Sequence, residues 1–491
     1  MKKVLASCLL AILAISGALA SGCPVTETAD PDTMRINYPA KLAFAIPRNH
    51  AYHQTLTLKL FMSQAQYDGK LKRRDNGKSE VFLTCEQALE VIRKIDNLTL
   101  GIPKIVYLVG WQYNGHDSKY PAWFEGNERL KRKGDANAMV SLRWLMQEAK
   151  RYHTLVSLHI NMFDAYDDSP LWDTYVKNNI IARSKDGSLR PCEWGWPVDY
   201  AQEWKTGFTQ KRIDSLCKLL PIAEAGSIHI DAFHTWPPNP VFDSTGNYHV
   251  MLTRGPISPA LVYTVEDETE AQRNIYRYWA SKGIDVTSEG TDFLRATAFE
   301  GYQPMAWWFS GLDHYLSWPA WYYCGGMDNS DWGKLFGTSM HGEEIIKKDP
   351  DGLQGFSADF CLKTAVWYYL NRLDRQYLVQ GADFKEIGFS GNVQTYLSKD
   401  KYSISCGKVL LLDNDDVFIP ALWMDHPAIL CYSRKGYHNR KWRLPEDWNT
   451  KHVKMYRITV EGNRFLGKAE TKSGQISVTL DPDEELLLEK E

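Results

Sequence analysis

From residue 104 to residue 379 the chain alternates short apolar runs of strand character with longer stretches of helical spacing. Residues 104–110, 155–160, 227–233 and 285–290 read as strands, with a shorter one at 305–309. Between them, 138–152, about 204–220, 270–282 and about 360–379 carry apolar residues at helical spacing. Such alternation over some 300 residues predicts a parallel sheet covered by helices. Polar residues gather at successive strand ends, which favours a closed (β/α)8 barrel over an open doubly wound sheet. No G-x-G-x-x-G or Walker-type loop supports a nucleotide fold. Residues 56–61 and the helical stretch 85–98 either open the barrel or form a small N-terminal lobe.

After about residue 385 the pattern changes to strands between turns, at 409–412, 452–458, 475–480 and the acidic-apolar terminus. We read the chain as a barrel over residues 41–384 followed by a C-terminal antiparallel β-sandwich over 385–491. Ahead of both, Lys2 and Lys3 precede an apolar run that ends in Ala20-Ser21-Gly22-Cys23, the form of an export signal over residues 1–22. Small residues before Cys23 resemble a lipobox, so lipidation at Cys23 and a tether over residues 23–40 are expected. Simple cleavage and secretion is the alternative. Either way the protein is exported, at the outer surface or in the periplasm, and touches a membrane only through that lipid.

The net charge of −3, without long runs of one sign, leaves no footprint for nucleic acid. Beyond Cys8 and Cys23, seven cysteines lie at spacings that fit neither a zinc site nor a disulfide framework. Buried thiols are expected.

Chemistry concentrates in two carboxylates. Asp231 closes the run 227–231 and Glu289 closes 284–289, with a helix between them. Acids at the ends of two parallel strands form the minimal machinery for cleaving a glycosidic bond. Aromatics make up 13% of residues, and many of the 18 Trp sit in polar loops, where an indole face can stack on a sugar ring. Other strand ends add Trp111, His116 and Asp117, then His159, while His234 follows Asp231 as a candidate donor. His116, Asp117, His159 and Asp231 are also metal-ligand types, but no H-x-H or H-E-x-x-H spacing is present; no metal or cofactor is expected. Acidic runs at Asp328, Asp331 and 413–416 read as solvated loops in preference to calcium sites.

The segment 107–117, His159-Ile160-Asn161, Glu193-Trp194-Gly195-Trp196 and His229-Ile230-Asp231 resemble the catalytic barrel of glycoside hydrolase family 101, the endo-α-N-acetylgalactosaminidases, which is related to family 129. The resemblance covers residues 100–310. It implies a retaining enzyme that releases Galβ1-3GalNAc from Ser or Thr of mucin-type glycoproteins. On that transfer Asp231 is the nucleophile and Glu289 the acid/base. His116 and Asp117 hold sugar hydroxyls, His159 lines a subsite, and Trp194 and Trp196 cover the glycan. The chain is short for that family, its 231–289 segment is expanded, and Gly290-Thr291-Asp292 stands where an aromatic is expected. These departures leave open an exo-acting α-galactosidase or α-N-acetylgalactosaminidase. A non-catalytic glycan-binding surface lipoprotein is the rival from another class.

Overall fold

The computed structural model describes residues 25–27, 34–37, 47–69, 74–191, 195–231, 233, 240–242, 248–250, 257–288, 302–305, 331–336, 340–341 and 343–491. Cys23, Trp194, His234, Glu289, Asp328 and residues 1–22 lie outside these. Among the described residues no helix is long and apolar enough to cross a membrane.

Seven parallel strands form the first sheet. They are β1 (Leu56–Phe61), β2 (Lys104–Val109), β3 (Thr154–Asn161), β4 (Ser227–Asp231), β5 (Asp285–Ser288), β6 (Tyr302–Pro304) and β7 (Met340–His341). Their order is β7-β1-β2-β3-β4-β5-β6, so the last strand in sequence lies beside the first. Residues 56–61 therefore open this sheet and do not belong to a separate lobe. The sheet curls strongly: Met305, which follows β6, packs with Ile105 and Tyr107 of β2, four strands away.

Side-chain alternation gives the two faces different chemistry. Leu58, Leu60, Val106, Leu108, Ile160 and Ile230 point outward into the main core under the helices. Thr57, Tyr107, Ser157, His159, His229 and Thr287 alternate with them and are equally buried. The inner face is thus polar, and its groups find one another. Tyr52 and Tyr107 both hydrogen-bond the Ser227 hydroxyl, at 2.8 and 2.6 Å.

Helix ends are set by local sequence. In α1 (Cys85–Leu98) Thr84 accepts from the Gln87 amide and Gln87 reaches back, a reciprocal cap. Its Ala88, Val91, Ile92 and Ile95 then meet the sheet at helical spacing. In α2 (Ala138–Glu148) Asn137 caps the Val140 amide. The helix expected over 204–220 is two, Tyr200–Thr206 and α3 (Phe208–Leu219), broken where Gly207 takes φ 77°. The helix expected from 270 starts earlier, as α4 (Val265–Ser281), because Thr264 and Asp267 cap it. The helix expected to run to 379 ends at Asn371, in α5 (Ala365–Asn371), and Arg375–Gln380 is a strand.

That strand belongs to an antiparallel C-terminal sheet reaching Lys490, joined at its outer edge by Met34–Asn37 and Val25–Glu27. The boundary read at 384/385 falls within its next strand, Phe384–Phe389. The strand Ala428–Ser433 is buried throughout. Leu430 and Tyr432 join the main core shared with the helices, while Ile429 and Cys431 join a second core with Trp442, Ile476 and Val478. The sheet therefore folds over itself while its other face packs on the helical layer. Cys85, Cys361 and Cys431 are buried free thiols, and Cys217 and Cys406 are half-buried free thiols. Asp413 and Asp416 hold the Arg440 guanidinium, and Asp331 meets Lys385 at 3.0 Å.

Between sheet and helices sits Glu485, buried and accepting from the Ser357 hydroxyl. Burial pushes its carboxyl up to about 8. The folded protein therefore holds a proton that the unfolded chain releases near the ordinary glutamate value. Stability from this group is full below about pH 4.5 and is lost as pH rises through about 8. Glu485→Gln should remove that loss. Its Tm should exceed that of the parent at pH 8.5, by an amount worth on the order of 3 kcal/mol, and match it near pH 5. Equal Tm shifts at both pH values would show that the carboxyl does not titrate across this window.

Candidate functional site

The site grows from the C-terminal ends of β2, β3 and β4. After β2 the chain turns at Gly110 and is laid against the short strand Ser63–Ala65. The Ser63 hydroxyl donates to the Gly110 carbonyl (2.6 Å), and the His116 amide donates to the Ser63 carbonyl (2.9 Å). Gly110 has φ 71°, and a Cβ there would stand 1.8 Å from the Ser63 oxygen. Tyr113, Asp117 and Lys119 also take positive φ (42°, 60° and 60°). Non-glycine residues in that region store strain that surrounding contacts must hold. Gly110→Ala should cost about 1–3 kcal/mol through the clash and displace His116 with it. A urea melt unchanged from the parent would refute this.

The loop delivers His116 and Asp117 to the end of β3, with His116 Nε2 and Asp117 Oδ1 3.6 Å apart. The His116 ring meets His159 edge-on at 5.3 Å, and His159 stacks on His229 at 5.3 Å. His229 in turn hydrogen-bonds the Thr287 hydroxyl of β5 at 3.0 Å. Asp231 closes β4 at the rim of this stack. Its Oδ2 lies 3.4 Å from His159 Nε2, and its side chain keeps 19% of its exposure. On β3 the register partner of Asp231 is Asn161. Asn161 accepts from the Phe163 and Asp164 amides and donates to the Asp164 carboxylate at 2.7 Å.

Three tyrosines line the same region, and none was singled out in the sequence. Tyr120 and Tyr166 stack at 5.9 Å, and the Tyr67 hydroxyl donates to the Asp117 carbonyl at 2.5 Å. Burial first, then the charge of Asp117 and other site carboxylates, drives all three phenols well above the ordinary value. For Tyr120 those carboxylates include Asp231 and Asp164. Each phenol therefore remains a donor at any working pH. No spacing announces these residues, because their role depends on how the 110–120 loop folds back.

Of the residues expected from sequence, the structure brings together His116, Asp117, His159 and Asp231. Trp111 is fully buried beneath them, where its indole N–H donates to the His159 carbonyl (3.0 Å). Trp196 is half-buried in a two-residue strand paired with Asp164–Ala165, and its ring packs on Trp172 at 4.8 Å. The following residues are anchored by a buried carboxyl pair. Asp199 caps the helix Tyr200–Thr206, and the Glu268 carboxylate accepts from the Ala201 amide. Burial raises both carboxyls, and the charge of Asp199 raises Glu268 further. His116, His159 and Asp231 also offer ligand atoms that all lie within 4.8 Å of one another, a set able to hold a metal ion.

Residues 78–282 match glycoside hydrolase family 101, described as Endo-alpha-N-acetylgalactosaminidase. Among solved structures, the Bifidobacterium bifidum alpha-N-acetylgalactosaminidase NagBb in its Gal-NHAc-DNJ complex superposes with TM-score 0.50 at 12% identity, over 72% of this chain and 58% of that one. Its GalNAc complex gives 0.45 at 9% identity, over 73% and 59%. An Anoxybacillus alpha-amylase gives 0.42 at 11% identity, over 90% and 99%. The likeness to NagBb is one of fold, and this chain spans somewhat under three-fifths of that protein's length. The resemblance read from the motifs is thereby supported: over 78–282 the chain is similar to glycoside hydrolase family 101.

Proposed function

We propose that the protein is a retaining glycosidase of α-linked N-acetylgalactosamine, acting on mucin-type O-glycans such as Galβ1-3GalNAc-Ser/Thr. Asp231 carries this reading. It is a carboxylate at a strand's C-terminal end, half-open to solvent and flanked by imidazole and by a loop of hydroxyl-binding residue types. In the proposed reaction ionised Asp231 attacks the anomeric carbon while Glu289 protonates the departing glycosidic oxygen. Water then hydrolyses the glycosyl ester, with Glu289 as base. Glu289 directly follows Ser288, whose register partner on β4 is Ile230, the residue before Asp231. Asp117, His116 and the phenols of Tyr120 and Tyr166 are suited to sugar hydroxyls, as acceptor, switchable group and permanent donors.

The same reading makes the parallel sheet a closed barrel. Its sequential strand order, with β7 beside β1, supports that closure. Export as a Cys23 lipoprotein fits a substrate displayed outside the cell.

Aryl α-glycosides of Galβ1-3GalNAc, GalNAc and galactose test the substrate. Release of intact disaccharide is the expected result. Release of a monosaccharide alone would keep the mechanism and move the enzyme to the exo class. Binding of the glycans without turnover of any glycoside would replace the reading with a lectin.

A further inference from the structure

We propose that His116, His159 and Asp231 form a binding site for zinc or a similar borderline divalent ion, and that the ion competes with the sugar. The geometry is close to a ligand set. Two ligands bonded at about 2.0–2.2 Å in a tetrahedral shell stand roughly 3.3–3.5 Å apart. His159 Nε2 and Asp231 Oδ2 are 3.4 Å apart, with nothing moved. The third ligand atom, on His116, lies within 4.8 Å of both. It needs a shift of about 1 Å, which side-chain rotation supplies, because the backbone of His116 is fixed on Ser63. His116 Nδ1 is buried without a hydrogen-bond partner, so one edge of this ring has no competing claim.

Ligand type selects the ion. Two imidazoles and one carboxylate suit zinc, copper and nickel, whereas calcium and magnesium take oxygen-rich shells. Each ligand comes from a different segment: the loop after β2, β3 and the end of β4. The Trp111 indole fixes the His159 backbone from below. Three protein ligands leave a fourth position, on the side where Asp231 is exposed.

An ion there takes the Asp231 oxygen as a ligand and withdraws it from any attack on a sugar. Binding of the ion does not depend on the proposed reaction; only the inhibition does. The first test is therefore equilibrium dialysis of the full chain, free of any polyhistidine tag, against Zn2+, with Mg2+ and Ca2+ in parallel. Cobalt substitution, read by its visible absorption, reports the coordination. One site for zinc is expected, weakened at least about tenfold in both His116→Gln and Asp231→Asn, which change separate elements. Melting curves establish that each variant folds. Zinc should also raise the apparent KM of the parent for an aryl glycoside without lowering kcat. Equal zinc binding in parent and both folded variants would overturn the site, as would preference for calcium. Because dialysis reads no turnover, a silent glycoside assay with zinc bound would count against the glycosidase reading alone.

Discussion

Asp231→Asn should lose aryl glycoside turnover by at least about 10^4-fold, with Glu289→Gln losing a comparable factor on substrates with poor leaving groups. Asparagine matches aspartate in shape, so the His159 contact and the strand end persist while the nucleophile does not. The two variants should then separate by rescue. Azide restores a retaining enzyme that lacks its acid/base by attacking the glycosyl ester, so Glu289→Gln with an activated leaving group should respond. In Asp231→Asn no ester forms, and azide should instead give a product of inverted configuration. Retention of a tenth or more of the parent kcat/KM in Asp231→Asn would remove Asp231 from the reaction.

Arg212→Met should destabilise the fold by about 3–5 kcal/mol, the largest expected stability effect of a single change here. Arg212 and Glu203 are both buried, and Arg212 Nη2 meets the two Glu203 oxygens at 2.7 and 2.9 Å. The Tyr175 hydroxyl donates to the same carboxylate. Arg212 also lies over the Trp123 ring at 4.2 Å and donates to the Pro121 carbonyl at 3.1 Å. Removing the cation leaves a carboxylate in the interior with one neutral donor, and frees the segment that follows Tyr120. Replacing both partners, Arg212→Met with Glu203→Gln, should recover a large part of the loss, since no uncompensated charge remains. Urea denaturation gives both numbers. A loss under about 1 kcal/mol for Arg212→Met would mean that water reaches the pair.

Strands β1 to β5 were legible as short runs of strand character bounded by turn residues, whereas β6 and β7, three and two residues long, were not. The strand expected at 305–309 lies mostly outside the described residues. The legibility of the first five hid their inner face. His159 and His229 sit inside such runs, and only the curl of the sheet stacks them beneath Asp231. Helix boundaries moved where a single residue decided them, Gly207 by its positive φ and Thr264 by its cap. Beyond Asn371 apolar spacing was compatible with a helix, but residues 375–380 pair with 384–389 and so are held as a strand. The carboxylate and the two imidazoles could be read from strand ends. Tyr67, Tyr120 and Tyr166 could not, since they reach the site through loop contacts with no regular period. Trp111 shows the opposite case: an aromatic at a strand end that the fold uses as a floor.

The stretch of chain that carries the family signature and the unit that must fold as one are of different extents. Residues 78–282 leave out β1, which is paired along its whole length with β2, and β5, which flanks the strand bearing Asp231. They also leave out the strand Ala428–Ser433, whose Leu430 and Tyr432 share the main core with Leu58 and Ile95. The C-terminal sheet is thus part of a shared core, unlike a tethered accessory module, and removing it would bare apolar surface on the helical layer.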